Sequence, residues 1–160
     1  MPAIRAQRRR GGFTLVELLV VMVIIGITLG LATLNAIPSP QQDLQKEAQR
    51  IALLLQLARD EAIVRNRLVS FEADSERYHF LVRGDKGWAT IVNDDLLRER
   101  GFKNPPVNLS LDPPPSGSGG STLRITFGRE PVDKPFVLTL ASGDHRVAIH
   151  ADGVGHFTVQ

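Results

Sequence analysis

A single carboxylate, Glu17, stands near the start of a long apolar run, and its position suits a specific electrostatic role. A carboxylate at the centre of a membrane helix costs roughly 2.5–3.5 kcal/mol on insertion scales, and less near an end, so it needs a cationic partner. The run offers no such cation except an amino terminus newly created by cleavage. Residues 8–10 are arginines, and Gly11 and Gly12 follow them. The order is therefore a basic patch, two glycines, and an apolar run that carries one acid.

The apolar run itself allows two simpler interpretations. Residues 18–37 contain no charge, and a helix of about 20 such residues can span a bilayer. A secretory signal peptide has an apolar core of only about 7–15 residues, although Gly30-Leu31-Ala32 has the small-x-small pattern of a cleavage site. A plain amino-terminal anchor explains the length and the flanking arginines, but it does not explain Glu17.

The segment Gly12-Phe13-Thr14-Leu15-Val16-Glu17 and its apolar run resemble the class III signal of type IV pilins and of type II secretion pseudopilins. This resemblance implies that a prepilin peptidase cuts between Gly12 and Phe13 on the cytoplasmic side. It also implies that Phe13 becomes the N-methylated first residue. Glu17 is then the fifth mature residue, which in this family is the assembly glutamate.

The charges predict how such a segment would work. The arginines hold the leader in the cytoplasm, so the chain from about Pro38 onward lies across the membrane. The side-chain-free glycines let an extended backbone enter a peptidase cleft. Glu17 of one subunit can pair with the amine at Phe13 of a neighbour, and this pair is strong in a low dielectric. An intrachain pair is the alternative, because Phe13 and Glu17 lie four positions apart on one helix.

The balance of basic and acidic residues changes once the predicted leader, residues 1–12, is excluded. The whole chain has 19 basic and 17 acidic residues and a formal charge of +2. The leader contains four arginines and no acid, so 15 basic and 17 acidic side chains remain in the mature chain, a charge of −2. An acidic mature chain argues against a general nucleic-acid surface. The absence of cysteine excludes disulfides and cysteine-ligated metals.

A second helix is predicted after the apolar run. Ser39-Pro40-Gln41-Gln42 has the pattern of a capping box, with Ser39 at the N-cap and Pro40 at the first helical position. The helix is expected to reach about Leu68. Its apolar stripe consists of Leu44, Ala48, Ile51, Leu55, Ala58 and Ala62, with Arg59, Asp60 and Glu61 mainly off the stripe. The stripe is predicted to pack on a sheet of the same chain, and a contact between subunits is the alternative.

Residues after Leu68 alternate with a period of two, which predicts strands. About seven or eight short strands are expected, at residues 69–73, 78–82, 88–92, 107–111, 122–127, 136–141, 146–150 and 155–159. Asp74-Ser75-Glu76, Gly84-Asp85-Lys86-Gly87 and Asp152-Gly153 are the predicted turns. Residues 93–102 remain ambiguous between a loop and a short helix, and residues 113–121 form a proline- and glycine-rich loop. The predicted fold class is α+β, a long amino-terminal helix followed by an antiparallel β-sandwich-like domain.

The second half of the chain also resembles one branch of the family. The helical segment Ala58-Arg59-x-Glu61-Ala62-Ile63-x-Arg65 is similar to a pattern of minor pseudopilin H, as are the hairpin at residues 78–88 and the closing Asp152-Gly153-Val154-Gly155. That resemblance implies a β-sandwich packed against the helix. Minor pilins of the FimT/FimU type have the same domain, so the fold alone does not choose between the two systems.

Other candidate sites are weak. Asp94-Asp95 is too small an oxygen cluster for calcium. His79, His145, His150 and His156 are all placed on predicted strands, and His145 and His150 face opposite sides. The glycines of residues 117–120 lack the following lysine of a phosphate loop, and no serine sits in a G-x-S-x-G elbow. We therefore expect no catalysis, no metal and no cofactor.

The sequence thus predicts a minor pseudopilin of the type II secretion fibre that takes part in initiation or tip assembly and in protein export. The predicted segments are a leader (1–12), an assembly helix (13–37), an amphipathic helix (38–68) and a periplasmic β-domain (69–160). The expected partners are the prepilin peptidase, the major and other minor pseudopilins, the inner membrane and secreted cargo. The alternative is a pilus minor pilin for priming or DNA uptake. Residues 150–160 contain no lysine or arginine, which disfavours DNA uptake.

Overall fold

The computed structural model describes residues 14–34, 39–114 and 122–160, with only the backbone described for residues 31–34. Gly12, Phe13 and residues 115–121 of the predicted loop lie outside the described residues. The chain divides into two units, Met1–Pro38 and Ser39–Gln160. Among the described residues, the first unit contains one helix, and the second combines one helix with strands.

The helix of the first unit, α1, spans Leu15–Leu34 and contains one acid, Glu17, in its first turn. Its large apolar side chains from Leu15 to Leu29 are 44–83% exposed and cover every side of the helix. The Thr28 hydroxyl donates to the carbonyls of Ile24 and Ile25, at 2.9 and 3.0 Å, so it leaves no unpaired donor on this apolar surface. Within the residues described, no helix has both the length and the hydropathy required to cross a bilayer.

The second helix, α2, spans Pro40–Val64 and starts as predicted. Ser39 is the N-cap residue, and the Gln42 N–H donates to its Oγ at 3.3 Å. Pro40 occupies the first helical position, where its missing N–H costs nothing because that donor would have no partner inside the helix.

The predicted end of α2 at Leu68 is wrong, because the helix ends at Val64. Asn66 adopts a left-handed backbone with φ of 51°, a conformation that asparagine tolerates better than most residues. The Asn66 N–H donates to Ile63 O at 3.3 Å, and the Arg67 N–H donates to Ala62 O at 3.0 Å. These two bonds form a Schellman motif, which satisfies the last carbonyls and turns the chain toward the sheet.

The described part of the chain contains nine strands. They are β1 (Val69–Ala73), β2 (Arg77–Gly84), β3 (Gly87–Thr90), β4 (Arg100–Gly101), β5 (Asn108–Asp112), β6 (Leu123–Phe127), β7 (Phe136–Ser142), β8 (His145–Ala151) and β9 (Phe157–Val159). Eight of them match predicted strands, and their ends differ from the predicted ends by at most two residues. The additional strand, β4, pairs with the start of β2 and is too short to show a period in the sequence.

The strands form two antiparallel sheets, which confirms the predicted fold class. The first sheet has the order β3-β2-β1-β6, with β4 also paired to β2, and the second has the order β5-β7-β8-β9. The predicted hairpin between β1 and β2 is confirmed. The Asp74 carboxylate accepts the Glu76 and Arg77 N–H groups at 2.7 and 2.8 Å, and these bonds lower its pKa.

One hydrophobic core lies between α2 and both sheets. All six residues of the predicted stripe are buried, which confirms that the stripe packs on strands of the same chain. Aromatic rings fill the space over the first sheet. Phe71, Tyr78, Phe80 and Phe102 contact one another with ring centroids 5.3–5.8 Å apart. The ambiguous residues 93–102 also enter this core, because Leu97 and Phe102 are buried.

A buried carboxylate joins α2 to the aromatic cluster. Glu47 is only 5% exposed, and its Oε1 accepts the Tyr78 hydroxyl at 3.1 Å. Arg50 Nη1 lies 3.5 Å from the same oxygen. Burial, together with the negative charge of Glu47, raises the pKa of Tyr78 to about 12. The neutral phenol is therefore the form that the folded protein prefers.

Tyr78 is the only tyrosine in the chain, so its ionisation can be followed by ultraviolet absorbance without interference. We expect the folded full chain, in detergent micelles, to form tyrosinate near pH 12 rather than near pH 10. The unfolded chain loses this proton first, so stability should fall as pH rises from about 10 to 12. Tyr78→Phe should abolish the absorbance change. A midpoint near pH 10 with the circular dichroism of the folded protein intact would contradict the buried Glu47–Tyr78 contact.

Candidate functional site

The cleavage and methylation residues predicted from the sequence, Gly12 and Phe13, lie outside the described residues. Glu17 is described and lies exposed in the first turn of α1. Thr14 directly precedes the helix, and its Oγ1 accepts the Glu17 N–H at 3.3 Å. Sequence analysis did not identify Thr14 as a cap, although Thr14-x-x-Glu17 before an apolar run has the spacing of a capping box.

The Glu17 carboxylate makes no ion pair within the part of the chain that the structure describes. It therefore leaves a negative charge at the helix amino terminus, where the helix dipole favours an anion. Its neighbours on α1 are apolar and exposed, including Leu18 and Val21. A cation brought to this position in an apolar environment would form a stronger pair than it would in water.

A second polar site lies on α2 and was missed by sequence analysis. Arg59 was expected off the apolar stripe, but it is only 9% exposed, so that expectation is wrong. Its Nη2 donates to the carbonyl oxygen of Pro131, and its Nη1 lies 3.7 Å from Asp60 Oδ1. Backbone groups of distant loops surround the guanidinium, and for this reason no helical period could have revealed it. The only sequence indication is its place in the Ala58-Arg59 pattern.

The turn between β8 and β9 covers Arg59. Gly155 has φ of +114°, and a Cβ at this position would lie 2.5 Å from Arg59 Nη1. Gly153 has φ of +81°, and its carbonyl accepts the Asp133 N–H at 2.7 Å. A Cβ there would lie 2.3 Å from Asp133 O. Gly153 is thus required by close approach to the backbone as well as by its own conformation, whereas the close contact at Gly155 is with the end of the Arg59 side chain.

Asp152 organises the same turn. Its Oδ1 accepts three backbone N–H groups, from Val154 at 2.8 Å and from Gly155 and His156 at 3.0 Å. Its Oδ2 lies 2.6 Å from His156 Nδ1. The His156 contact and these backbone bonds lower the pKa of Asp152 to about 2. His156 therefore belongs to the turn, and its expected position on a strand is wrong because β9 starts only at Phe157.

The other predicted candidates are dispersed. His79 lies on β2 beside Glu72, with Nε2 3.2 Å from Oε2, and His145 and His150 lie on opposite faces of β8. Asp94 caps a turn by accepting the Leu96 and Leu97 N–H groups at 2.8 and 3.0 Å. Among the residues that the structure describes, no group of three or more histidines and acids is close enough to hold a metal.

Comparison with known proteins assigns both halves of the chain. Residues 47–155 match the model of the family described as "Type II transport protein GspH", and residues 7–33 match the prokaryotic N-terminal methylation motif. Type II secretion system protein H of Pseudomonas aeruginosa is 34% identical over 145 residues, which cover 86% of this chain and 80% of that protein. The protein of the same name from Aeromonas hydrophila is 29% identical over 94 residues, covering 57% and 51%.

Solved structures agree on the fold. Two structures of the minor pseudopilin EpsH from the type II secretion system of Vibrio cholerae superpose with TM-scores of 0.57 and 0.54. They are 18% and 21% identical to this chain. The first superposition covers 76% of this chain and 98% of the other, and the second covers 71% and 93%.

The Arg59–Gly155 contact can be tested with a matched pair of glycines. Gly87 has φ of +117°, almost the value at Gly155, but a Cβ at Gly87 would meet nothing within 4 Å. Both alanine substitutions cost about 1–3 kcal/mol of backbone strain. Gly155→Ala should cost a further 1–3 kcal/mol or so, because it forces a held guanidinium aside. Chemical denaturation of the full chain in detergent measures the free energy of unfolding of both variants.

Removing the guanidinium should remove the difference between the two glycines. In an Arg59→Ala background, we expect Gly155→Ala to be no more destabilising than Gly87→Ala, which is a coupling that a double-mutant cycle measures directly. Equal costs for the two glycine substitutions in the wild-type chain would mean that the turn does not depend on Arg59.

Proposed function

Because the chain belongs to the GspH family of type II transport proteins, the minor pseudopilins H, we propose that it acts near the initiating end of a pseudopilus. In this role it is a structural subunit that joins the major pseudopilin and other minor pseudopilins and so takes part in protein export. One observation carries the proposal. A methylation motif over residues 7–33 and a GspH domain over residues 47–155 occur in the same chain.

The first step in this function is maturation. A prepilin peptidase cuts between Gly12 and Phe13 and methylates the new amine of Phe13. The match to the methylation motif supports this step. Cleavage also removes the four arginines of the leader and leaves an acidic mature chain. The positive charge that holds the precursor's end in the cytoplasm is then reduced to the one amine.

The second step is membrane retention and assembly. Apart from Glu17, the large exposed side chains of α1 are apolar on every side, and this supports placement in the inner membrane because such a surface must be covered. The domain formed by Ser39–Gln160 then lies in the periplasm. The Glu17 carboxylate of an entering subunit accepts a hydrogen bond from the amine of Phe13 on a neighbour. A subunit in the wrong register leaves its carboxylate unpaired in a low dielectric. The pair thus selects the correct register.

The secretion system is favoured over the pilus. The family model that matches residues 47–155 is that of a type II transport protein, and the two curated relatives are named as type II secretion proteins. The site geometry supports a structural role, since Arg59, Asp152 and Glu47 all hold elements of the fold together. We propose that the subunit has no catalytic activity of its own.

Gly12→Ala should block maturation, because the added methyl group lies directly at the scissile bond. The expected product in cells that contain the peptidase is the full 160-residue precursor, detected by intact-mass spectrometry of the purified protein. The wild-type chain should begin at N-methylated Phe13. Gly11→Ala is the matched control, with the same change one residue farther from the bond, and should be processed. A mature mass for Gly12→Ala would reject the cleavage position.

Glu17→Gln separates the charge of Glu17 from its place in the helix cap. Glutamine preserves the capping-box pattern with Thr14 but removes the carboxylate that pairs with a neighbour. We expect this variant to enter the membrane normally and to be reduced at least tenfold in sheared fibres, which corresponds to about 1.4 kcal/mol of lost pairing.

Thr14→Ala is the complementary control, because it removes the cap and retains the charge. It should enter fibres at close to the wild-type level, since loss of one cap costs about 1 kcal/mol in a helix that is otherwise strongly apolar. If Glu17→Gln assembles normally and Thr14→Ala does not, Glu17 serves the helix and not the assembly contact.

A further inference from the structure

Three arginines converge at one end of the first sheet. The Arg83 N–H donates to Leu68 O at 2.8 Å and extends the β1–β2 ladder by one position. On the other side of β1, Val69 pairs with Phe127, the last pair between β1 and β6, and residues 67 and 129 lie two positions beyond it. Arg67, Arg83 and Arg129, which lie far apart in the sequence, therefore all lie at this end of the sheet and line the same cavity. We refer to these three residues as the arginine cluster.

The arginine cluster lines an open cavity of about 430 Å³. All three arginines are exposed, and within the described residues none has a carboxylate partner at ion-pair distance. One acid, Asp85, also lines the cavity, which leaves a local formal charge of +2. Elsewhere on the same unit, arginines such as Arg65, Arg77 and Arg124 do have carboxylate partners. The cluster is therefore a local concentration of uncompensated positive charge.

An aromatic residue extends this surface. The guanidinium carbons of Arg83 and Arg124 each lie 5.7 Å from the ring centroid of Trp88, so both cations contact the indole. Trp88 is half-buried and pairs across the sheet with Arg83. Tryptophan and arginine are the residues most enriched in the energetic centres of protein interfaces. The side chains adjoining the cavity thus have the composition of a protein-binding surface.

We propose that the arginine cluster and Trp88 form a docking site for an extended acidic segment of a partner protein. Carboxylates of the segment bind the three guanidinium groups. β3 is the outermost strand of its sheet in the described chain, so its free edge offers backbone groups to an extended segment. The site goes beyond the proposed structural role and depends on that role only for its location in the periplasm.

Several observations favour a polypeptide over other anions. Asp85 in the cavity wall repels the closely spaced charges of a nucleic acid, whereas a peptide can donate N–H groups to it. The mature chain carries a net charge of −2, which opposes general binding of polyanions. The arginine cluster lies near the carboxyl end of α2, whereas the chain enters this unit at Ser39, directly before α2. Because the 25 residues of α2 span about 37 Å, the length of this helix separates the cluster from Ser39.

The site can be tested with the purified full chain in non-ionic detergent. The probe is a fluorescein-labelled peptide with six aspartates separated by glycines, and the readout is fluorescence anisotropy at low salt. We expect saturable binding, and no binding of the matching lysine peptide. Arg67→Gln and Arg129→Gln should each raise the Kd about fivefold or more, which is the effect of one exposed charge contact. Arg67→Lys should restore most of the affinity.

Two arginines elsewhere provide matched controls. Arg98 and Arg146 are also exposed and lie outside the cavity, so Arg98→Gln and Arg146→Gln remove the same charge at other places. These variants should change the Kd less than twofold. Glu17→Gln should bind the peptide like the wild type, so that failure of fibre assembly and failure of this site can be told apart. Thermal unfolding of every variant checks that the fold is retained.

Four outcomes would overturn the proposal. Absence of peptide binding at low salt would do so, as would equal weakening by the control arginines, which would indicate general electrostatic attraction. Tighter binding of duplex DNA or of phosphatidylglycerol vesicles than of the aspartate peptide would replace the polypeptide with another anion. Self-association that is lost in Arg67→Gln would identify a second copy of this chain as the occupant.

Discussion

The fold of residues 39–160 depends on how closely α2 can approach two sheets at once. Ala48, Ala58 and Ala62 are completely buried on the packed face of the helix, and their small side chains allow the strands to come near its backbone. Ile51 and Leu55 fill the spaces between them. A larger side chain at one of the alanines would push the helix away from both sheets, since a close-packed core has no room to absorb it.

Two charged residues interrupt the same packed face, and each makes a hydrogen bond to a distant element, while Arg59 Nε is buried without a partner among the described residues. Glu47 accepts the Tyr78 hydroxyl, and Arg59 donates to the Pro131 carbonyl. A buried charge that loses its partner is strongly destabilising, although the pair itself adds little net stability. These contacts therefore disfavour other alignments of α2 on the two sheets. A helix that slid or rotated on the sheets would keep most of its apolar burial, but Glu47 and Arg59 would lose Tyr78 and Pro131 and keep only their neighbours on α2 itself. Apolar packing brings the elements together, and the two polar contacts define one alignment.

Much of this architecture could be predicted, because the relevant patterns are local. Ser39 and Pro40 fix the start of α2 through groups within one turn, and Asp74 closes its hairpin with its own neighbours. The errors have a common cause. The burial of Arg59 depends on a loop more than 70 residues away, so helical periodicity assigns it to the wrong surface. The prediction of His156 on a strand is wrong because the carboxylate of Asp152, four residues earlier, holds it in a turn. Sequence alternation does not reveal that contact.

The candidate sites also differ in whether a local sequence pattern can reveal them. Gly12, Phe13 and Glu17 belong to one short sequence pattern, so they can be proposed as cleavage, methylation and assembly residues without a structure, and these roles remain predictions. The arginine cluster joins residues that lie far apart in the sequence, so no local pattern reveals it, and composition conceals it because the whole chain has 19 basic and 17 acidic residues. At physiological ionic strength, charges separated by more than about 8 Å are largely screened from one another. An approaching acidic segment therefore senses the cluster and Asp85 rather than the net charge of the subunit. A protein with nearly balanced charge can in this way present one attractive surface, whose position orients the partner.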